Sequence, residues 1–158
     1  MELEQVDQAQ RYFQKALTNA REFGAKWQFT YSLRKLAEIC LSRGEYKQAG
    51  EYLLQGLTLS SEVDPDILTN NCLIPLLQVA EEIVSPVNLA CLLGSIHQLM
   101  GDHLCPEKSQ AFLNRISAIL PAKLGSSTFQ ASLEAGRQMS REQVQAEALV
   151  IARQVAEA

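Results

Sequence analysis

Three segments of this chain repeat one spacing of slim and bulky residues: VDQAQRYFQKALTNA, EYKQAGEYLLQGLTL and SPVNLACLLGSIHQL. Each carries an alanine (Ala9, Ala49, Ala90), a second position four residues on (Phe13, Leu53, Gly94) and a third after three more (Ala16, Gly56, His97). The alanines stand 40 and then 41 residues apart. A recurrence at that period points to stacked supersecondary units, each hiding its apolar face against the next. Residues seven apart share one side of a helix, so Ala49 and Gly56 mark a place where two backbones approach closely. Glycine there costs roughly 1 kcal/mol of helix propensity relative to alanine, which a close crossing explains.

The segments between these points are also helical in period, and none alternates as a strand does. A first helix is expected over residues 3–23, with Ala9, Phe13, Ala16 and Ala20 on one stripe and Gly24 ending it. A second, over 26–42, turns Phe29, Leu33, Leu36, Ala37 and Cys40 inward and stops at Gly44. A third buries Tyr46, Ala49, Leu53, Gly56 and Leu57. The fourth, over 65–84, starts with Asp64 as cap and Pro65 in the first position, and Pro75 is expected to kink it. Ser85 and Pro86 open a fifth that Gly101 closes. A sixth begins near Pro106 and is interrupted or bent by Pro121. Ser126 or Ser127 caps a short seventh, and Ser140 with Gln143 forms a capping box for the eighth, which reaches about Val155. The fold class expected is all-α.

These hairpins resemble the tetratricopeptide repeat. In the middle repeat Leu33, Leu36, Ala37, Tyr46, Ala49, Leu53 and Gly56 stand on that family's signature positions, and the first and third repeats match in part. The resemblance implies a right-handed superhelix of helix hairpins over residues 1–101, the first repeat incomplete, with C-terminal helices over 102–158 packed on it as one continuous domain. The segments PVNLACLLGSIHQLMG, CPEKSQAFLNRI and AKLGSSTFQASLEAGRQMSREQVQAEAL add a second likeness. Their order is similar to the tail of bacterial signal-transduction ATPases of the LuxR or MalT-like type and of antibiotic-regulatory-type activators. Ala90, Leu92, Leu93, Gly94, Pro106, Leu124, Gly125, Phe129, Gly136, Arg137 and Ser140 stand at corresponding places, while Pro121 and Leu133 depart from the pattern. The likeness implies a fragment or relative of a larger regulator, whose effector and ATPase modules precede the repeats. This sequence has no GxxxxGK[ST] phosphate loop, so nucleotide hydrolysis is not assigned to it.

Other chemistry finds little footing. The net charge of −4 and absence of a Lys/Arg run argue against direct nucleic-acid binding. The acidic, polar N-terminal MELEQVDQAQ is no signal peptide, and no apolar run reaches the roughly 18 residues of a membrane span. Scattered Cys40, Cys72, Cys91 and Cys105 read as reduced, buried thiols, and the expected compartment is the cytoplasm. Cys91, His97, His103 and Cys105 lack the spacing of a zinc site, Cys91 and His97 being six positions apart. Ser95 and His97 do not face one another on a helix, and Glu81–Glu82 and Asp64–Asp66 read as solvated or dipole-complementing acids. No enzyme activity, metal or cofactor is expected. Arg137 is expected to hydrogen-bond carbonyls at the end of the seventh helix.

The role that follows is protein–protein interaction or signal sensing by a repeat module of a bacterial transcriptional regulator. The first helix of each hairpin would line a concave side, and by repeat register Tyr31, Arg34, Glu38, Cys72 and Val79 would face a partner there. That partner is another protein or another domain of the same full-length chain, and the uncovered first helix offers a homodimer contact. The alternatives are an autoinhibitory scaffold packing on its own ATPase module, or an inducer-binding pocket between the repeats and the C-terminal helices.

Overall fold

A computed structural model describes residues 2–59, 69–101 and 106–158. Among them are eight α-helices and no strand: α1 (Glu2–Glu22), α2 (Lys26–Ser42), α3 (Tyr46–Thr58), α4 (Ile74–Ala80), α5 (Pro86–Met100), α6 (Glu107–Leu124), α7 (Ser126–Arg137) and α8 (Arg141–Glu157). Three-residue turns join α1 to α2 and α2 to α3. Connections that short make successive helices antiparallel neighbours. Gly24 (φ 66°) and Gly44 (φ 72°) adopt the left-handed conformation that lets the chain reverse in so few residues. Arg43, just past α2, reaches back to α1 and donates to Gln10 Oε1 at 2.7 Å and to Asp7 Oδ1.

The ends of the later helices follow local chemistry. Ser85 Oγ accepts from the Asn88 amide at 3.3 Å, and Pro86 takes the first position of α5. Ser140 and Gln143 form the expected capping box, each side chain accepting from the other's backbone N–H. Two expectations change. Pro121 does not interrupt α6, because it sits in the last turn, where few residues remain to be displaced. Neither Ser126 nor Ser127 caps α7; Gly125 (φ 80°) occupies that position and Ser126 is already helical. Asp64, Pro65, His103 and Cys105 lie outside the described residues.

Ahead of Pro75 the chain departs from regular α-helix. A wide π turn, Thr69–Leu73, runs directly into α4. Proline brings no N–H to the carbonyl four residues earlier and its ring crowds that carbonyl, so the turn ahead of it opens. The regular helix ends at Ala80 rather than at Val84.

One apolar core runs from Ala37 to Val155, with Leu57, Leu73, Leu76, Leu77, Leu93 and Ile151 inaccessible to solvent. A satellite of Ala20, Phe29 and Leu33 joins α1 to α2. Ala49 and Ala90 are fully buried, while Ala9 is half-buried on α1, which packs chiefly against α2. Burial of apolar surface, at about 25 cal/mol per Å2, drives this assembly, and the slim residues decide how closely its helices meet.

The tightest meeting is that of α5 with α7. A Cβ at Gly94 would stand 2.0 Å from the Leu133 carbonyl oxygen, and one at Gly136 would stand 1.9 Å from that of Cys91. The Ser95 hydroxyl is held in the same crossing between the carbonyls of Cys91 (3.1 Å) and Gly136 (3.2 Å). A second contact folds α8 back across the chain onto α3. There Gly50 leaves room for Val155 and the Ala156 backbone, and Gln145 Nε2 donates to the Leu57 carbonyl at 3.0 Å. Gly56 faces Leu33 and Cys72, so the glycines of α3 serve two different neighbours.

Candidate interaction surface

The inward stripe of α2 leaves a second stripe facing out, with Trp27, Tyr31, Arg34, Lys35, Glu38 and Ser42 recurring every three or four residues. These side chains order one another. Trp27 and Tyr31 stack with ring centroids 5.1 Å apart and planes 12° from parallel. Arg34 and Lys35 lie over the Tyr31 ring at 5.1 and 5.7 Å, a cation–π geometry. Phe13 of α1 meets the edge of that ring at 6.2 Å and touches the exposed Tyr12 in turn. Four aromatic rings from two helices thus form a continuous surface.

Beside it runs a groove of about 580 Å3. From α2 come Arg34, Lys35, Glu38, Leu41 and Ser42; from α4, Ile74, Pro75 and Gln78; from the start of α6, Pro106, Glu107, Lys108 and Ser109. A second groove, about 510 Å3 between α1 and α2, shares Lys35, Glu38 and Ser42 as its near wall and adds Val6, Ala9 and Phe13. The two grooves therefore flank a single ridge on α2. On that ridge Lys35 Nζ donates to Glu38 Oε2 at 2.7 Å, and Arg34 Nε stands 3.6 Å from Glu38 Oε1.

Of the residues expected to face a partner, Tyr31, Arg34 and Glu38 come together here. Cys72 and Val79 do not: each is 1 % exposed and belongs to the core. They stand 41 residues after Tyr31 and Glu38, whereas Gln78, which does border the groove, stands 40 after Glu38. One position on a helix is a rotation of 100°, enough to turn Cys72 and Val79 into the core. Burial pushes the Cys72 thiol up to about 12, and burial with the nearby Glu45 pushes Cys40 to about 11, so both stay protonated.

Lys35, Gln78 and Lys108 were missed. Lys35 is one turn from Glu38 and could have been read from i,i+3 spacing. Lys108 gives no such signal, since only the folded chain brings the start of α6 to α2.

The remaining candidates are dispersed. His97 is half-buried and its pKa falls below the ordinary 6.5, through burial first and then the positive charge of Arg137. Arg137 is exposed and pairs with Glu134 at 3.9 Å, in place of the carbonyl contact expected. The Ser95 hydroxyl is committed to backbone carbonyls, which leaves no serine–histidine pair. Among the described residues no three His, Cys, Asp or Glu converge on a metal-sized site, and no helix is long and apolar enough to cross a membrane. An apolar hollow of about 430 Å3 is lined by Ala20, Phe29, Thr58 and Leu59 from the α1–α3 end of the chain, away from the C-terminal helices. No family model, curated protein or solved structure matches the chain.

Proposed function

We propose that this chain is a non-catalytic interaction module that holds a protein segment in the groove between α2, α4 and α6. One observation carries the reading: alternate helices of the chain contribute the walls of a single groove, and an ordered row of aromatic and charged side chains continues from it across α2. Interfaces draw their affinity from such aromatic and arginine anchors set in grooves. The repeat spacing and the order of the C-terminal segments further support a tetratricopeptide-like stack from a larger bacterial regulator of the LuxR or MalT-like type. In such a protein the segment held belongs either to a separate partner or to another domain of the same chain, and the module acts in signal transduction.

Exchanging the two charges of the ridge tests the groove without needing the natural partner. Arg34→Glu with Glu38→Arg retains an oppositely charged i,i+4 pair, so the helix keeps its local support while the pattern facing a ligand is inverted. Peptides selected from a displayed random library on the native chain are expected to lose about tenfold or more in affinity for this variant, at unchanged helical circular dichroism. If every selected peptide binds both proteins equally, the groove is not the binding face.

A further inference from the structure

Arg34 holds the one buried side-chain nitrogen or oxygen among the described residues without a hydrogen-bond partner. Its Nε is 3.6 Å from Glu38 Oε1, beyond hydrogen-bond reach, and the other Glu38 oxygen is taken by Lys35 at 2.7 Å. Two cations therefore share one carboxylate, and a guanidinium N–H that is only 17 % exposed as a side chain is left unsatisfied. Native structures rarely leave such a donor unmade, because the group has lost its water without gaining an acceptor.

The opposite wall of the groove adds to the same sign of charge. The 18-residue helix α6 begins there, and the residue at its cap position, Pro106, supplies no side-chain acceptor to the first-turn amides. That helix end carries a partial positive charge of about one half, and Lys108 stands on it. Arg34, Lys35 and Lys108 outnumber Glu38 and Glu107, so the groove is cationic in a chain whose net charge is −4. Its remaining floor, Leu41, Ile74 and Pro75, is apolar.

We infer that the segment bound in this groove is an acidic peptide in which carboxylates alternate with apolar side chains. One carboxylate pairs with the charge of the Arg34 guanidinium, which shares Glu38 with Lys35, a second lies beside Lys108 at the start of α6, and the apolar side chains cover Leu41 and Pro75. A peptide fits better than a small anion because the second groove continues the site across the Lys35–Glu38 ridge. The inference rests on the groove being the partner face and adds the chemistry of the partner.

The test is fluorescence anisotropy with a labelled peptide of about ten residues, roughly 33 Å long when extended, alternating Glu with Leu, against the same peptide with Gln for Glu. The acidic peptide is expected to bind at least about tenfold tighter, and its affinity to fall as salt rises from about 0.05 to about 0.3 M. Arg34→Gln and the exposed Lys108→Gln are each expected to weaken it about three- to tenfold, while Lys123→Gln at the far end of α6 leaves it unchanged. Equal binding of the two peptides, no binding of the acidic one up to about 1 mM, or indifference to both Arg34→Gln and Lys108→Gln overturns the acidic assignment. Such a result is distinct from failure of the groove itself, which is read from library-selected peptides that ignore the charge exchange.

Discussion

Alanine at Gly94 or at Gly136 is expected to lower the stability of the chain by about 3 kcal/mol or more, although alanine ordinarily improves a helix by up to about 1 kcal/mol. The added methyl would sit 2.0 Å from the Leu133 carbonyl oxygen in the first case and 1.9 Å from that of Cys91 in the second. Both obstacles are backbone atoms, which no change of rotamer moves. The helices α5 and α7 must separate, and the shared Ser95 hydroxyl then loses its hold on the Gly136 carbonyl. A loss of that size is a large part of the roughly 5–15 kcal/mol that keeps a domain folded. Gly56 sets the contrast: its added methyl meets only the Cys72 sulfur at 3.2 Å and Leu33 Cδ1 at 3.7 Å. Gly56→Ala is expected to stay within about 1 kcal/mol of the native chain, propensity gain offsetting mild crowding. Urea unfolding of the three variants, followed by circular dichroism, gives the comparison directly. Equal, small changes for all three would mean that α5 and α7 do not cross at these glycines.

A comparable loss is expected from Ile151→Asp, whereas Val150→Asp one residue away is expected to be nearly silent. Ile151 is fully buried where α8 folds back on the core, and Val150 is half exposed on the other side of the same helix. A carboxylate at 151 has to be buried without a partner or else protonated, and either route costs roughly 4 kcal/mol or more. At 150 it stays in water, where surface substitutions shift stability by about 0.5 kcal/mol. Thermal unfolding of the two variants separates a docked α8 from one that merely follows α7 as a helix. Equal midpoints would contradict the docking of α8 on α3 and α4.

Helix boundaries were legible in the sequence because they depend on neighbouring residues: Gly24 and Gly44 for the turns, Ser85 with Pro86 and Ser140 with Gln143 for the starts. Pro75 and Pro121 are the same residue type with opposite outcomes. Position within the helix decides between them, and that depends on where the helix ends. Pairings across distance were not legible. Nothing local says that Gly94 meets the backbone of Leu133, or that Gly50 makes room for Val155. The candidate surface divides in the same way. Arg34 and Glu38 belong to one uninterrupted helix, so period alone finds them, and Lys35 was within reach of the same argument. Cys72 and Val79 required the register to be carried from one helix pair to the next, and an error of one position there is enough to exchange an outward side chain for a core one. Lys108 depends wholly on tertiary structure.

Backbone amide shifts in a 15N-labelled sample, recorded as a selected peptide is added, test the partner face most directly. The largest changes are expected together at residues 34–42 on α2, 76–78 on α4 and 107–109 at the start of α6, the walls of one groove. Shifts confined to the exposed sides of α7 and α8, with those three stretches unmoved, would contradict the groove as the place where this chain meets its partner.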